Sequence, residues 1–122
     1  MRTLPLQFDP DRLRRLLDLV GPTEAGAFLT QLDLDLTDCA RKLAPAATEQ
    51  DWTALREASH VLVSLAGSTG AMSLQTMAEA LNAAAHAHDT AAVTVLCDQL
   101  EPDLARLIDL VRTTPTHTSD QQ

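Results

Sequence analysis

His60 is the side chain in this sequence best suited to chemistry, and its position in a helical pattern indicates why. Apolar residues recur around it at helical spacing, so the segment is predicted to be a helix. At about 100° per residue, His60 lies roughly 130° from the centre of the apolar face. That face is formed by Trp52, Leu55, Ser59, Leu62 and Ala66. The imidazole is therefore expected to project into solvent from the middle of a helix.

The side chains near His60 suggest a nucleophile that another protein approaches. Ser64 and Gly67, four and seven positions later, are small and are expected to leave space beside the ring. An unperturbed imidazole is largely neutral near pH 7, so one ring nitrogen keeps a free lone pair. Such a ring on a rigid helix is a nucleophile without a dedicated base. The alternative for any helical histidine is a surface residue, or a core residue with satisfied hydrogen bonds, that has no function.

The rest of the sequence predicts a single helical domain that would position this residue. Alanine and leucine make up about a third of the 122 residues, and only 2% are aromatic. Asp9-Pro10 is typical of a helix start, and a short amphipathic segment follows it as far as Gly21. The first bundle helix is expected to begin at Pro22 and to end or kink at Pro45, before a linker over 45–48.

Three further helices are predicted beyond that linker. Thr48 or Asp51 would cap the helix that carries His60. Residues 67–70 are expected to break or weaken the helical structure before the next helix. A helix ending near 86–89 and a last one with a kink at Pro102 complete the set. Short connections make sequential helices antiparallel neighbours. The predicted fold is all-α: an antiparallel up-down-up-down four-helix bundle with a short extra N-terminal helix covering one end.

Composition excludes several classes of function. The chain has 9 basic and 17 acidic residues and a net charge of −8, which argues against nucleic acid or an anionic membrane as partner. No apolar run reaches the ~18 residues of a membrane span, and the N-terminus has no signal-peptide core. Cys39 and Cys97 lie within helical patterns and are expected to be small buried hydrophobes. A cytoplasmic protein is therefore expected.

The segment around His60 resembles the histidine-containing phosphotransfer (HPt) domain. The family pattern has an Asp-Trp-like helix start, then His-x-Leu-Lys-Gly, a Gly-Ala or similar pair and a later Leu. The residues in register with this pattern are Asp51, Trp52, His60, Leu62, Gly70, Ala71 and Leu74. The spacing matches without a gap from 51 to 74, and a weaker resemblance extends over 9–112.

The resemblance implies a phosphorelay module. His60 would accept a phosphoryl group from the aspartate of a response-regulator receiver domain, or pass one to it. An HPt domain has no active site of its own, so it is not an enzyme and holds no cofactor. Mg²⁺ is expected on the receiver, and a hybrid histidine kinase is the other expected partner. We expect a monomer that binds neither nucleic acid nor membrane.

Two positions depart from the family pattern. Val63 occupies the position of the family's lysine, which is thought to offset phosphoryl charge, and Ser64 occupies that of its glycine. The Ser64 hydroxyl and the Arg56 guanidinium, one turn before His60, are candidates to support the phosphate. For Arg56 the alternative is a surface residue paired with Glu57. The predicted docking surface consists of Val61, Val63 and Gly67, although Val63 also suits the edge of the core.

Two other functions fit the same sequence. One is a degenerate HPt-like bundle that binds a receiver or kinase without accepting phosphate, as the loss of the lysine would suggest. The other is a helical adaptor with His60 buried between two copies. No metal site is expected at His86, His88 and Asp89, because histidines two apart point to different sides of a helix. The predicted boundaries are an extension at 1–8, the bundle at 9–112 and a disordered tail at 113–122, which contains His117.

Overall fold

The computed structural model describes residues 8–115. Apart from one isolated β-bridge, all regular secondary structure in this range is α-helical. They are α1 (Pro10–Val20), α2 (Pro22–Glu49), α3 (Trp52–Thr69), α4 (Met72–His86) and α5 (Thr90–Thr113). Residues 1–7 and 116–122 lie outside the described range. Residues 1–7 of the predicted extension and residues 116–122 of the predicted tail, with His117, fall on them.

Helices α2 to α5 form the predicted four-helix bundle. Helix α2 packs against α3 and α5, and α4 packs against the same two helices, so the four surround one core. That core is rich in leucine, and Leu36, Leu62, Leu74, Leu81 and Leu107 have no exposed surface. The turns between consecutive helices have three residues at most, which makes the neighbours antiparallel. The predicted fold class is confirmed.

Aspartate side chains begin three of the helices. Asp9, Asp51 and Asp89 accept hydrogen bonds from backbone N–H groups in the first turns of α1, α3 and α5. Such caps satisfy donors that have no partner within the helix. Of the two caps predicted for α3, the structure has Asp51, whereas Thr48 lies inside α2.

The helix interruptions predicted at Pro45 and at residues 67–70 are corrected. Helix α2 continues across Pro45 to Glu49, so the linker expected at 45–48 is helical. Helix α5 also continues across Pro102, where the sequence predicts a kink and not an end. A proline inside a helix destabilises that helix by roughly 3 kcal/mol. The burial of apolar side chains before and after each proline offsets this loss. Helix α3 continues through Gly67 and ends only at Gly70.

Helix α1 is fastened to the turn between α3 and α4. The Asp9 N–H donates to the Gly70 carbonyl at 2.8 Å, and Phe8 forms an antiparallel bridge with Ala71. Arg12 Nη1 donates to the Gly67 carbonyl at 2.9 Å. The expected covering helix therefore packs against α2 and α3, with its N-terminus beside the last turn of α3.

The two cysteines provide a test of the core. Cys39 and Cys97 are buried free thiols, and burial raises the pKa of each to about 11. Because the thiolate is the reactive form, we expect iodoacetamide at pH 8 to alkylate the folded protein at least ~100-fold more slowly than the protein in denaturant. Mass spectrometry of timed samples measures both rates. Equal rates would contradict the burial of these side chains.

Within residues 8–115, none of the helices combines the length and apolar character needed to cross a bilayer.

Candidate functional site: a histidine on the exposed face of α3

His60 lies in the middle of α3 with its side chain exposed to solvent. Among the described residues, none forms a hydrogen bond or an ion pair with its ring. Both ring nitrogens are therefore open to a molecule that approaches this face. The exposure predicted from helical spacing is what the structure shows.

Burial of the opposite side of α3 fixes the direction of the ring. Leu55, Leu62 and Ala66 have no exposed surface, so α3 cannot rotate without withdrawing them from the core. Ser59 is equally buried, and its hydroxyl donates to the Leu55 carbonyl at 2.7 Å. A helix held in this way presents His60 at a constant position.

Asn82 of α4 fastens the two helices together next to His60. Its Nδ2 donates to Ser59 Oγ at 3.0 Å and to the Arg56 carbonyl at 3.1 Å. Both acceptors lie within one helical turn of His60. Asn82 cannot be identified from the sequence, because nothing in the sequence shows which residues of α4 face α3.

Arg56 lies one turn before His60, but its guanidinium does not contact the ring. Arg56 Nη2 is 3.4 Å from Thr53 Oγ1, which lies towards the N-terminus of α3 and away from His60. In this rotamer the Arg56 guanidinium makes no hydrogen bond or ring contact with His60. Glu57 is exposed and forms no ion pair with Arg56 among residues 8–115, so the pairing considered from the sequence is not observed.

The predicted docking residues differ in how accessible they are. Val61 is 44% exposed, whereas Val63 is half-buried and packs against the core. Ser64 is exposed one turn after His60, as a phosphate-supporting residue must be. These placements are compatible with the predicted roles of Val61, Val63 and Ser64, which remain predictions.

The space expected beside Gly67 is partly filled. A Cβ atom at Gly67 would lie 3.0 Å from the side-chain nitrogen of Gln75, which belongs to α4. The Arg12 guanidinium occupies the carbonyl side of the same residue. The side chains of α1 and α4 that close this end of the face are separated from His60 in sequence, and local spacing does not reveal them.

Neither His86, the last residue of α4, nor His88, in the turn that follows, belongs to this site. The His88 ring stacks on Trp52 with centroids 4.7 Å apart and planes 6° from parallel. Asp89, which follows it, caps α5. Within residues 8–115 there is no cluster of three or more histidine, cysteine or acidic side chains arranged to hold a metal ion.

Comparison with known proteins identifies the family. The model of the Hpt domain matches residues 25–113, which include α3 and nearly all of the bundle. Among solved structures, that of histidine-containing phosphotransfer protein B (HptB) from Pseudomonas aeruginosa PAO1 has the same fold, with a TM-score of 0.77. The two chains are 24% identical, and the similarity covers 87% of this chain and 91% of HptB. No match was found among curated proteins. Because the family model covers most of its length, the chain belongs to the Hpt-domain family of phosphocarrier proteins.

Proposed function

We propose that the chain carries a phosphoryl group on His60, which exchanges it with the aspartate of a receiver domain. The observation that carries this proposal is the exposed His60 ring at the motif's histidine position, in the middle of a helix fixed by its buried face. Membership of the family supports a role in a phosphorelay.

The transfer is a single in-line displacement. A lone pair on one His60 nitrogen attacks the phosphorus of the aspartyl phosphate, and an N–P bond forms. The P–O bond to the aspartate breaks, and the carboxylate leaves with the bonding electrons. The other ring nitrogen keeps its proton, so the ring becomes a phosphorylated imidazolium. Return to an aspartate is the same reaction in reverse.

The main contribution of this chain is to position the reacting nitrogen of His60, while the receiver would supply the metal ion. Phosphoryl transfer through a loose transition state depends on alignment and on offsetting charge. On this proposal α3 would hold His60 in line with the aspartyl phosphate. Ser64 and Arg56 would stabilise the phosphoryl oxygens, Arg56 after a change of rotamer. The receiver would supply Mg²⁺, and Val61 and Val63 would contact its surface. On this proposal the chain is a carrier and not itself an enzyme.

The proposed partners are a receiver domain, a hybrid histidine kinase, or both. A net charge of −8 disfavours nucleic acid and anionic membranes as partners. A bundle that buries its own core suits a monomer. Two buried free cysteines suit a reducing compartment, so we place the relay in the cytoplasm.

The proposal is tested by incubating the protein with a panel of receiver domains charged with acetyl phosphate. At least one receiver should transfer its phosphoryl group, and the protein should gain phosphate that is stable in base and labile in acid. A degenerate module would instead bind a receiver without gaining phosphate, and its binding would be unchanged in His60→Ala. That result would replace phosphate transfer with binding alone.

Restoring the family's lysine is expected to speed the transfer. Val63 is half-buried on the His60 side of α3, and Val63→Lys would carry an ammonium group to the exposed edge of that side. A favourable interaction of about 1 kcal/mol with the phosphoryl group corresponds to a roughly fivefold faster transfer. Rapid-quench assays with one receiver measure the rate. Val63→Gln controls for the loss of valine, and equal rates for the two variants would contradict a role for charge here.

A further inference from the structure

The basic side chains of residues 8–115 fall into two groups according to their partners. Five are paired with carboxylates: Arg14, Arg41, Lys42, Arg106 and Arg112. Within the same range, Arg12, Arg15 and Arg56 form no ion pair. With 17 acidic residues against 9 basic ones in the chain, an arginine without a carboxylate partner is notable. Two of these three, Arg56 and Arg12, lie along the face that presents His60.

A hydrogen bond to an uncharged backbone carbonyl holds Arg12 beside that face. Its Nη1 donates to the Gly67 carbonyl at 2.9 Å, and Gly67 follows His60 by two helical turns on the same side of α3. The Asp9–Gly70 hydrogen bond fixes the start of α1 at this position. A guanidinium has five N–H donors, so the bond to Gly67 leaves donors for a carboxylate without displacing the contact.

The distance to His60 decides what Arg12 can bind. At about 1.5 Å per residue, seven residues place Gly67 roughly 10 Å along α3 from His60. That separation is too long for Arg12 to hydrogen-bond a phosphoryl group on the ring. It is well within a protein interface, which covers about 800 Å² on each partner. Arg12 is therefore placed to contact the protein that visits His60 and not the group transferred.

The chemistry of phosphoryl transfer predicts the charge of the receiver domain's surface. A receiver presents an aspartyl phosphate and binds Mg²⁺ through carboxylates, so the surface around its site is acidic. A carrier with a net charge of −8 would repel such a surface. Arg56 and Arg12, which have no ion-pair partner within residues 8–115, lie towards opposite ends of the His60 face and offset this repulsion at the point of contact.

We propose that Arg12 is a docking residue that binds a carboxylate at the rim of the receiver's site while His60 faces the aspartyl phosphate. This inference rests on the proposed function. It extends the predicted docking surface beyond α3 to the N-terminal helix. Arg12 also caps a carbonyl near the end of α3, and a purely structural role of that kind must be separated from docking.

The test measures phosphohistidine formation against the concentration of a receiver that phosphorylates the wild-type protein. Arg12→Gln keeps a donor for the Gly67 carbonyl and removes the charge. We expect it to raise the receiver concentration at half-maximal rate about fivefold at low salt, with the maximal rate within about twofold. The difference should shrink in ~0.3 M salt, because screening weakens the contact. Arg12→Lys should recover most of the loss.

Arg15→Gln is the matched control, since Arg15 is another exposed α1 arginine without an ion pair in the described range. It should stay within about twofold of the wild type. The inference is overturned if Arg12→Gln matches the wild type or Arg15→Gln, or if its defect does not depend on salt. If no receiver phosphorylates the wild type, the proposed function fails and this inference fails with it. The wild-type reaction alone distinguishes the two cases.

Discussion

Replacing His60 with glutamine is expected to lower the rate of phosphoryl acceptance at least ~100-fold, to the background of the assay. The amide of glutamine has no lone pair of comparable nucleophilicity. Within residues 8–115, no side chain forms a hydrogen bond or an ion pair with the ring and might accept the phosphoryl group in its place. The side chain is exposed, so the folded state should be retained, with a melting temperature close to that of the wild type. Acid-labile phosphate measured over time with a charged receiver gives the rate.

His86→Gln is the matched control for that substitution. His86 is also exposed, and it is the last residue of α4. The same change there should leave the rate of phosphoryl acceptance unchanged. If His60→Gln accepted phosphate as fast as His86→Gln, the phosphoryl group would have another acceptor and the proposed site would be wrong.

Gly70→Ala is expected to produce the largest loss of stability among changes near the site. Gly70 has φ +86°, and a Cβ atom there would lie 2.6 Å from the backbone oxygen of Asp9. An alanine with positive φ costs about 1–2 kcal/mol, and a shift of α1 would also break the Asp9–Gly70 hydrogen bond, worth about 1 kcal/mol. We expect the free energy of unfolding to fall by about 3 kcal/mol, which is roughly 10 °C in melting temperature.

Gly67→Ala separates this steric effect from the general effect of replacing glycine. Gly67 is helical, and an added Cβ would meet only the end of the flexible Gln75 side chain, at 3.0 Å. Alanine also favours helix, so the unfolding free energy should change by less than ~1 kcal/mol. Thermal or urea denaturation compares the two variants. Equal losses would show that α1 is not packed against Gly70 as described.

The features predicted correctly from the sequence are those that local periodicity determines. The number of helices follows from apolar stripes and capping residues such as Asp9 and Asp51. The exposure of His60 follows from its angle to Leu55 and Leu62, because a helix that buries two leucines must turn the opposite side outward. Both depend on residues within two helical turns of each other.

The features that were missed depend on contacts between helices. Pro45 predicted an end or a kink in α2 and a linker after it, but the burial of Leu43 and Ala46 on either side keeps that segment helical. Asn82, which fastens α4 to α3 beside His60, can be identified only once the facing residues of the two helices are known. The same limit applies to Arg12, since the sequence does not show where α1 packs.

Locating the phosphoryl group on the protein tests the central claim most directly. The wild-type protein, charged by a receiver domain, is examined by ³¹P NMR and by peptide mass spectrometry under basic conditions that preserve phosphohistidine. We predict one phosphoramidate resonance and one modified peptide, with the added phosphate on the imidazole of His60. Phosphate on any other residue, or a receiver that binds tightly and leaves the imidazole unmodified, would contradict the claim.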